Sequence, residues 1–244
     1  MYDLTFHPLS HTYTLNGATV PGITEILDAV GLISKFMPDA AKQRGGYVHE
    51  AIELHLKGEL HPESEEQYRG WLDAVDACIA ENGLNIMEIE EPVACLEYGY
   101  ATCIDAISDM NHKDRLAVIN WKTSDPLPWY SLQAAGEFLA SAGHFDKHSL
   151  TKPHDVYQVY ISEEGTYDMV KVDVLEVSDS WESVLHVYDW IQRHTSTSVR
   201  PRSRTNTDEQ IVIPDNEAVI FNTGERDDRE HSNTGDEVSR GLFD

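Results

Sequence analysis

Asp105, in Cys103-Ile104-Asp105-Ala106-Ile107, is followed fifteen residues later by Asn120-Trp121-Lys122-Thr123, which closes the apolar run Leu116-Ala117-Val118-Ile119. An acid on one strand and an acid-x-Lys triplet on the next could together perform metal-assisted hydrolysis of a phosphodiester. Hard oxygen ligands hold a divalent cation, and an ammonium nearby steadies the negative charge that grows on the attacked phosphate. Side chains at i and i+2 of a strand share a face, so positions 120 and 122 project together. The first position of the triplet is an amide here. Its carbonyl oxygen can still act as a ligand, but the loss of one formal charge lowers affinity for a divalent ion.

Upstream, Arg44-Gly45-Gly46-Tyr47-Val48-His49-Glu50-Ala51-Ile52-Glu53-Leu54-His55-Leu56-Lys57-Gly58 repeats apolar residues at Val48, Ile52 and His55 or Leu56, the pattern of an amphipathic helix. His49 and Glu53 then share a face one turn apart. Neutral imidazole and carboxylate are both ligands for ions such as Mn²⁺, so this pair is a candidate metal-facing pair. His55, His61 and the other scattered histidines have no such setting.

Four blocks in this order resemble the PD-(D/E)XK nuclease superfamily, in its RecB-like and phage exonuclease branch. They are His11-Thr12-Tyr13-Thr14-Leu15-Asn16-Gly17 with Val20-Pro21-Gly22-Ile23-Thr24-Glu25-Ile26-Leu27; Gly45 through Glu53; the Asp105 strand; and Asn120-Trp121-Lys122 with Gln133. The resemblance spans roughly residues 7 to 140. It implies that His49, Asp105 and position 120 bind Mg²⁺ or Mn²⁺, with the Trp121 carbonyl where the family often uses a main-chain ligand. It implies that Lys122 orients the attacking water, and that Gln133, on the following helix, supports the site or contacts DNA. It further implies action on double-stranded DNA ends, recombination or DNA processing beside a single-strand annealing protein, and a phage protein working in the host cytoplasm. The chain departs from the pattern in three places. Asn120 stands for the acid, Glu137 for the aromatic four residues after the Gln, and Thr102-Cys103 for a Gly-Thr. Glu90 and Glu91 lie where related enzymes carry a further acid, and the sequence leaves open which turns inward. A natural loss of the acid and a deliberate Asp-to-Asn exchange remain equally open, as do exonuclease against endonuclease, polarity and oligomeric state. In either case the expectation is an enzyme with a weakened or silenced site.

The composition sets limits. A chain of 244 residues with 41% apolar content can bury one sizeable core. It has no apolar run of membrane length and no basic-then-apolar start, so neither a span nor a signal peptide is expected. Cys78, Cys95 and Cys103 lack Cys-x-x-Cys spacing and are expected as reduced core thiols rather than disulfides or cluster ligands. The net charge of −25 argues against DNA binding, because affinity for nucleic acid rests on cations that neutralise phosphates. It supports a competing reading, an acidic DNA mimic that blocks a DNA-processing partner. Against that, Lys35, Lys42 and Arg44 flank the His49 helix, and Arg193, Arg200, Arg202 and Arg204 lie in an acid-free stretch. Arg44, Arg200, Arg202 and Arg204 are therefore candidate phosphate contacts.

The elements expected to position these residues form an α/β or α+β domain over 1–221, followed by an acidic, disordered tail over 222–244. Asn16-Gly17 predicts a type I′ hairpin within 13–20. Helices are predicted near 23–31, 38–57 and 63–82, strands near 86–97, 99–109 and 115–122, and a helix near 129–142. A second hairpin joins 157–161 to 169–174, and Ser178 is expected to cap a last helix ending near His194. The result is a central mixed sheet, its inner strands bearing the acids, flanked by helices.

Overall fold

In the computed structural model, which describes residues 2–8, 10–33, 39–110, 113–148, 150 and 152–195, the Asn16-Gly17 step turns as its sequence predicts. Both residues take positive φ, 52° and 81°, the requirement of a type I′ turn. The turn joins β2 (Thr12–Leu15) to β3 (Ala18–Val20), and an unforeseen strand, β1 (Leu4–His7), pairs with β2 to complete a three-stranded antiparallel sheet. Asn16 secures that extra strand, since its side-chain oxygen accepts from the Asp3 N–H at 3.0 Å.

The main sheet has five strands in the order β4 (Asn85–Cys95), β5 (Tyr100–Met110), β6 (Arg115–Lys122), β7 (His154–Ile161) and β8 (Tyr167–Lys171). Only the β6–β7 pair is parallel. Its crossover is α4 (Trp129–Lys147), longer than predicted. The remaining helices are α1 (Ile23–Ala29), α2 (Asp39–Lys57), α3 (Pro62–Asn82) and α5 (Val174–Thr195). The fold is thus mixed α/β, with helices on both faces of a mixed sheet.

Alternation along β6 separates two cores. Leu116 and Val118 pack with Ile104, Ile23, Ala135 and Trp181, on the face covered by α1, α4 and α5. Ala117, Ile119 and Trp121 pack with Val48, Ile52 and Val75, on the face covered by α2 and α3. This period of two leaves Asn120 and Lys122 facing α4. Buried on both sides, β6 reads as a continuous apolar run, as central strands with parallel neighbours do.

Two sequence expectations need correction. Ser178 does not cap α5: its hydroxyl donates to the Val174 carbonyl at 2.6 Å inside the helix, while the Glu176 N–H at the true start is met by the Asp173 carboxylate at 3.3 Å. Asp is as good a cap as Ser, and the stronger apolar periodicity beyond Ser178 drew the boundary too late. The second hairpin also differs, since β7 begins at His154 and β8 ends at Lys171. The predicted tail, the 221 boundary, Lys35, Arg200, Arg202 and Arg204 lie outside the described residues. Cys78, Cys95 and Cys103 are free thiols. Among the described residues no helix is long and apolar enough to cross a membrane.

One glycine fixes how α3 meets the turn between β7 and β8. A Cβ at Gly70 would lie 1.7 Å from the Glu163 carbonyl oxygen, which is backbone and cannot rotate away. Gly70→Ala should therefore destabilise the protein by about 1–3 kcal/mol, the usual cost of overpacking. The check is a thermal melt of the variant against the parent, with an unchanged midpoint counting against this contact.

Candidate metal centre

The pairing of β5 with β6 runs from Met110 opposite Arg115 to Ala106 opposite Ile119 and stops there, while β6 continues alongside β7 as far as Lys122 opposite Tyr160. The two strands therefore part at Asp105 and Asn120. Asp105 bridges the fork: its Oδ2 accepts from the Trp121 backbone N–H at 2.8 Å. From the α2 side His49 brings Nδ1 to 3.5 Å from the same carboxylate oxygen.

The third member comes from the edge strand. Ile89 pairs with Ala106 and Glu91 with Ile104, so Glu90 lies across from Asp105. It does so with φ of +52°, a conformation that costs a non-glycine residue on the order of 1 kcal/mol or more. Such strain persists only where surrounding structure demands it. Ligand atoms of His49, Glu90 and Asp105 lie within 4.8 Å of one another, close enough to share one cation. Glu53, the candidate partner of His49, pairs with Lys57 one turn further on, at 2.5 Å. Glu91 does not join this group: Glu88 and Glu91 flank His144 of α4.

The electrostatics suit a cation. Burial opposes protonation of His49, yet the Asp105 carboxylate outweighs it and holds the imidazole pKa above its usual value. Burial would raise Asp105, but His49, Lys122 and the Trp121 N–H together hold it below the usual carboxylate range. Glu90 is pushed up to about 7 by burial and by the Asp105 charge. These are carboxylates crowded together with too little positive charge, the condition a divalent ion relieves.

On the α4 face of the fork, Lys122 is buried, donates to Gln133 Oε1 at 3.1 Å and lies 4.6 Å above the Tyr130 ring. Gln133 in turn donates to Glu137 at 2.7 Å, and Glu137 accepts from Asn120 at 2.5 Å. A cleft of about 400 Å³ opens beside His49, Trp121, Lys122 and Gln133, and Arg44 lies on its wall. Of the predicted residues, His49, Asp105, Asn120, Trp121, Lys122, Gln133 and Arg44 thus come together. Two participants were not assigned from sequence. Glu90 was one of two adjacent acids, separated only by the backbone kink, and Glu137 stood out as a departure whose signal was its i+4 spacing from Gln133.

No protein family model matches the chain, and no curated protein is similar to it. Among solved structures it is similar to an alkaline exonuclease, LHK-Exo, from Laribacter hongkongensis, at 13% identity and a TM-score of 0.32 over 70% of this chain and 90% of that one. The same exonuclease in complex with dAMP gives 14% identity and a TM-score of 0.35, over 72% and 93% of the two chains. A proposed exonuclease from Eubacterium rectale gives 9% and 0.36, over 73% and 74%.

Proposed function

We propose that the chain is a metal-dependent deoxyribonuclease that hydrolyses phosphodiesters at double-stranded DNA ends, as an exonuclease of the PD-(D/E)XK type. The observation that carries this reading is the convergence of His49, Glu90 and Asp105 at a strand fork, with Lys122 on the adjoining strand. The donor set fits the ion: two carboxylates suit Mg²⁺ or Mn²⁺, and the imidazole favours Mn²⁺ of the two. Bound there, the cation would supply Lewis-acid stabilisation of the phosphoryl oxygens and an activated water.

The chain's own groups supply the rest. The Trp121 N–H fixes the Asp105 carboxylate, so that its free lone pairs are already oriented before an ion arrives. Gln133 holds the Lys122 ammonium, which faces the cleft where a scissile phosphate would sit and can position water and stabilise developing charge. Arg44, on the cleft wall, is suited to a backbone phosphate contact. In this reading the enzyme serves DNA recombination or processing, beside a single-strand annealing protein, in the host cytoplasm.

The test is a cleavage assay on linear and circular duplex DNA with Mn²⁺, Mg²⁺ or EDTA. Cleavage of the linear form only, abolished by EDTA and by His49→Ala or Asp105→Ala in proteins that remain folded, is the expected result. Absence of cleavage with either ion, combined with tight binding to a basic DNA-processing protein, would favour the acidic mimic that the net charge of −25 suggests.

A further inference from the structure

Asn120 is almost wholly buried, at 1% exposure, and Glu137 is completely so. Burying a carboxylate is costly unless opposite charge or several donors meet it. Glu137 has two amide donors, Asn120 Nδ2 at 2.5 Å and Gln133 Nε2 at 2.7 Å, and no directly paired cation among the described residues. Amides alone are weak compensation for a fully desolvated anion. The side chain of Asn120 gives its nitrogen to Glu137, so its Oδ1 is left buried without a hydrogen-bond partner among the described residues. A buried oxygen without a partner is uncommon and calls for an explanation, a bound ion or water among them. An acid is therefore absent at 120 but present at 137, and the two side chains touch.

We propose that Glu137, carried by α4, supplies the carboxylate that position 120 lacks, so that Glu137 and the Asn120 amide oxygen together complete the divalent cation site begun by Asp105. The proposal rests on the nuclease reading above and changes what Asn120 means: the amide links the relocated carboxylate to the strand and is not a lesion. An Asp at 120 would set two carboxylates against each other at hydrogen-bonding distance, whereas an amide donates across the same gap. Gln133 couples the arrangement to Lys122 by bonding both, so that the ligand and the water-positioning ammonium are held in one chain of contacts.

The test uses the full chain, its Glu137→Gln form, and the double form Asn120→Asp with Glu137→Gln, which returns the carboxylate to the strand. Mn²⁺ binding is measured by calorimetry at fixed pH, with metal-free circular dichroism to verify folding and cleavage of linear duplex DNA as a second readout. The expected result is an affinity for Mn²⁺ at least tenfold weaker in Glu137→Gln, recovered in the double form. Parental affinity in Glu137→Gln would overturn the proposal, as would a loss in a folded protein that Asn120→Asp fails to restore, which would mean a structural hydrogen bond. If the unaltered chain neither binds Mn²⁺ nor cleaves DNA, the nuclease reading itself falls, and this proposal with it.

Discussion

Lys122→Met should slow DNA cleavage by about 10²-fold or more, the usual cost of deleting a preorganised donor that meets developing charge, while Mn²⁺ binding stays within a few-fold. Met keeps the apolar stem that packs below the cleft and removes only the ammonium. The ammonium touches Gln133 and the Tyr130 ring rather than any carboxylate of the cluster, so its removal leaves the ligands in place. Calorimetry and single-turnover cleavage on the same preparation separate the two effects. Equal losses of binding and rate would make Lys122 part of the scaffold of the cation site, and no loss of rate would remove it from the chemistry.

The second large effect is on the stability of the metal-free protein. Burial pushes the Glu137 carboxyl up to about 7, against Lys122 and its amide donors, and in the unfolded chain the same group ionises near 4.5. Between those values the folded state keeps a proton that the unfolded state has lost. The stability fully present below 4.5 is therefore lost as pH rises to about 7, by roughly 3 kcal/mol for this single buried group. Glu90, also raised to about 7, acts in the same direction, and His49, held above 6.5, extends the loss upward. Asp105, held below 3.8, contributes with the opposite sign and only in acid. The metal-free protein should melt at lower temperature at pH 8 than at pH 5.5, and saturating Mn²⁺ should reverse much of that difference. The overall negative charge drives melting the same way, so the discriminating comparison is Glu137→Gln. That neutral form should be the more stable of the two at pH 8 and lose less stability between pH 5.5 and pH 8. Parallel pH profiles for the two proteins would show that Glu137 is not a costly buried anion.

Much of this site is legible in the sequence because its parts obey local rules. The i, i+4 stripe of Val48 and Ile52 fixes the face of α2 and hence where His49 lies, and the apolar run ending at Asn120 announces a strand buried on both sides. Gln133 was legible through the resemblance, whereas Glu137, one turn further along the same helix, was read only as a departure from the expected aromatic. What was hidden depends on departures from periodicity or on tertiary approach. The left-handed Glu90 interrupts the alternation of β4, so that Glu88 and Glu91 face His144 while Glu90 alone meets Asp105, and no rule of period two predicts that choice. The Asn120–Glu137 bond joins a strand to its own crossover helix, and only the packing of α4 brings them together. The β1 strand was missed because, unlike β2 of the same length, it has no Asn-Gly step beside it to mark a turn. The fork itself is invisible in sequence, being the point where two ladders cease to coincide.

The most direct measurement is anomalous diffraction from crystals grown with Mn²⁺. The described residues hold two groups able to bind a metal, His49 with Glu90 and Asp105 at the fork, and Glu88 with Glu91 and His144 where β4 meets α4. The account predicts a Mn²⁺ peak at the fork, ligated by Asp105 and within bonding distance of His49 or Glu90. A peak only at His144, or none at either group at saturating Mn²⁺, would contradict it.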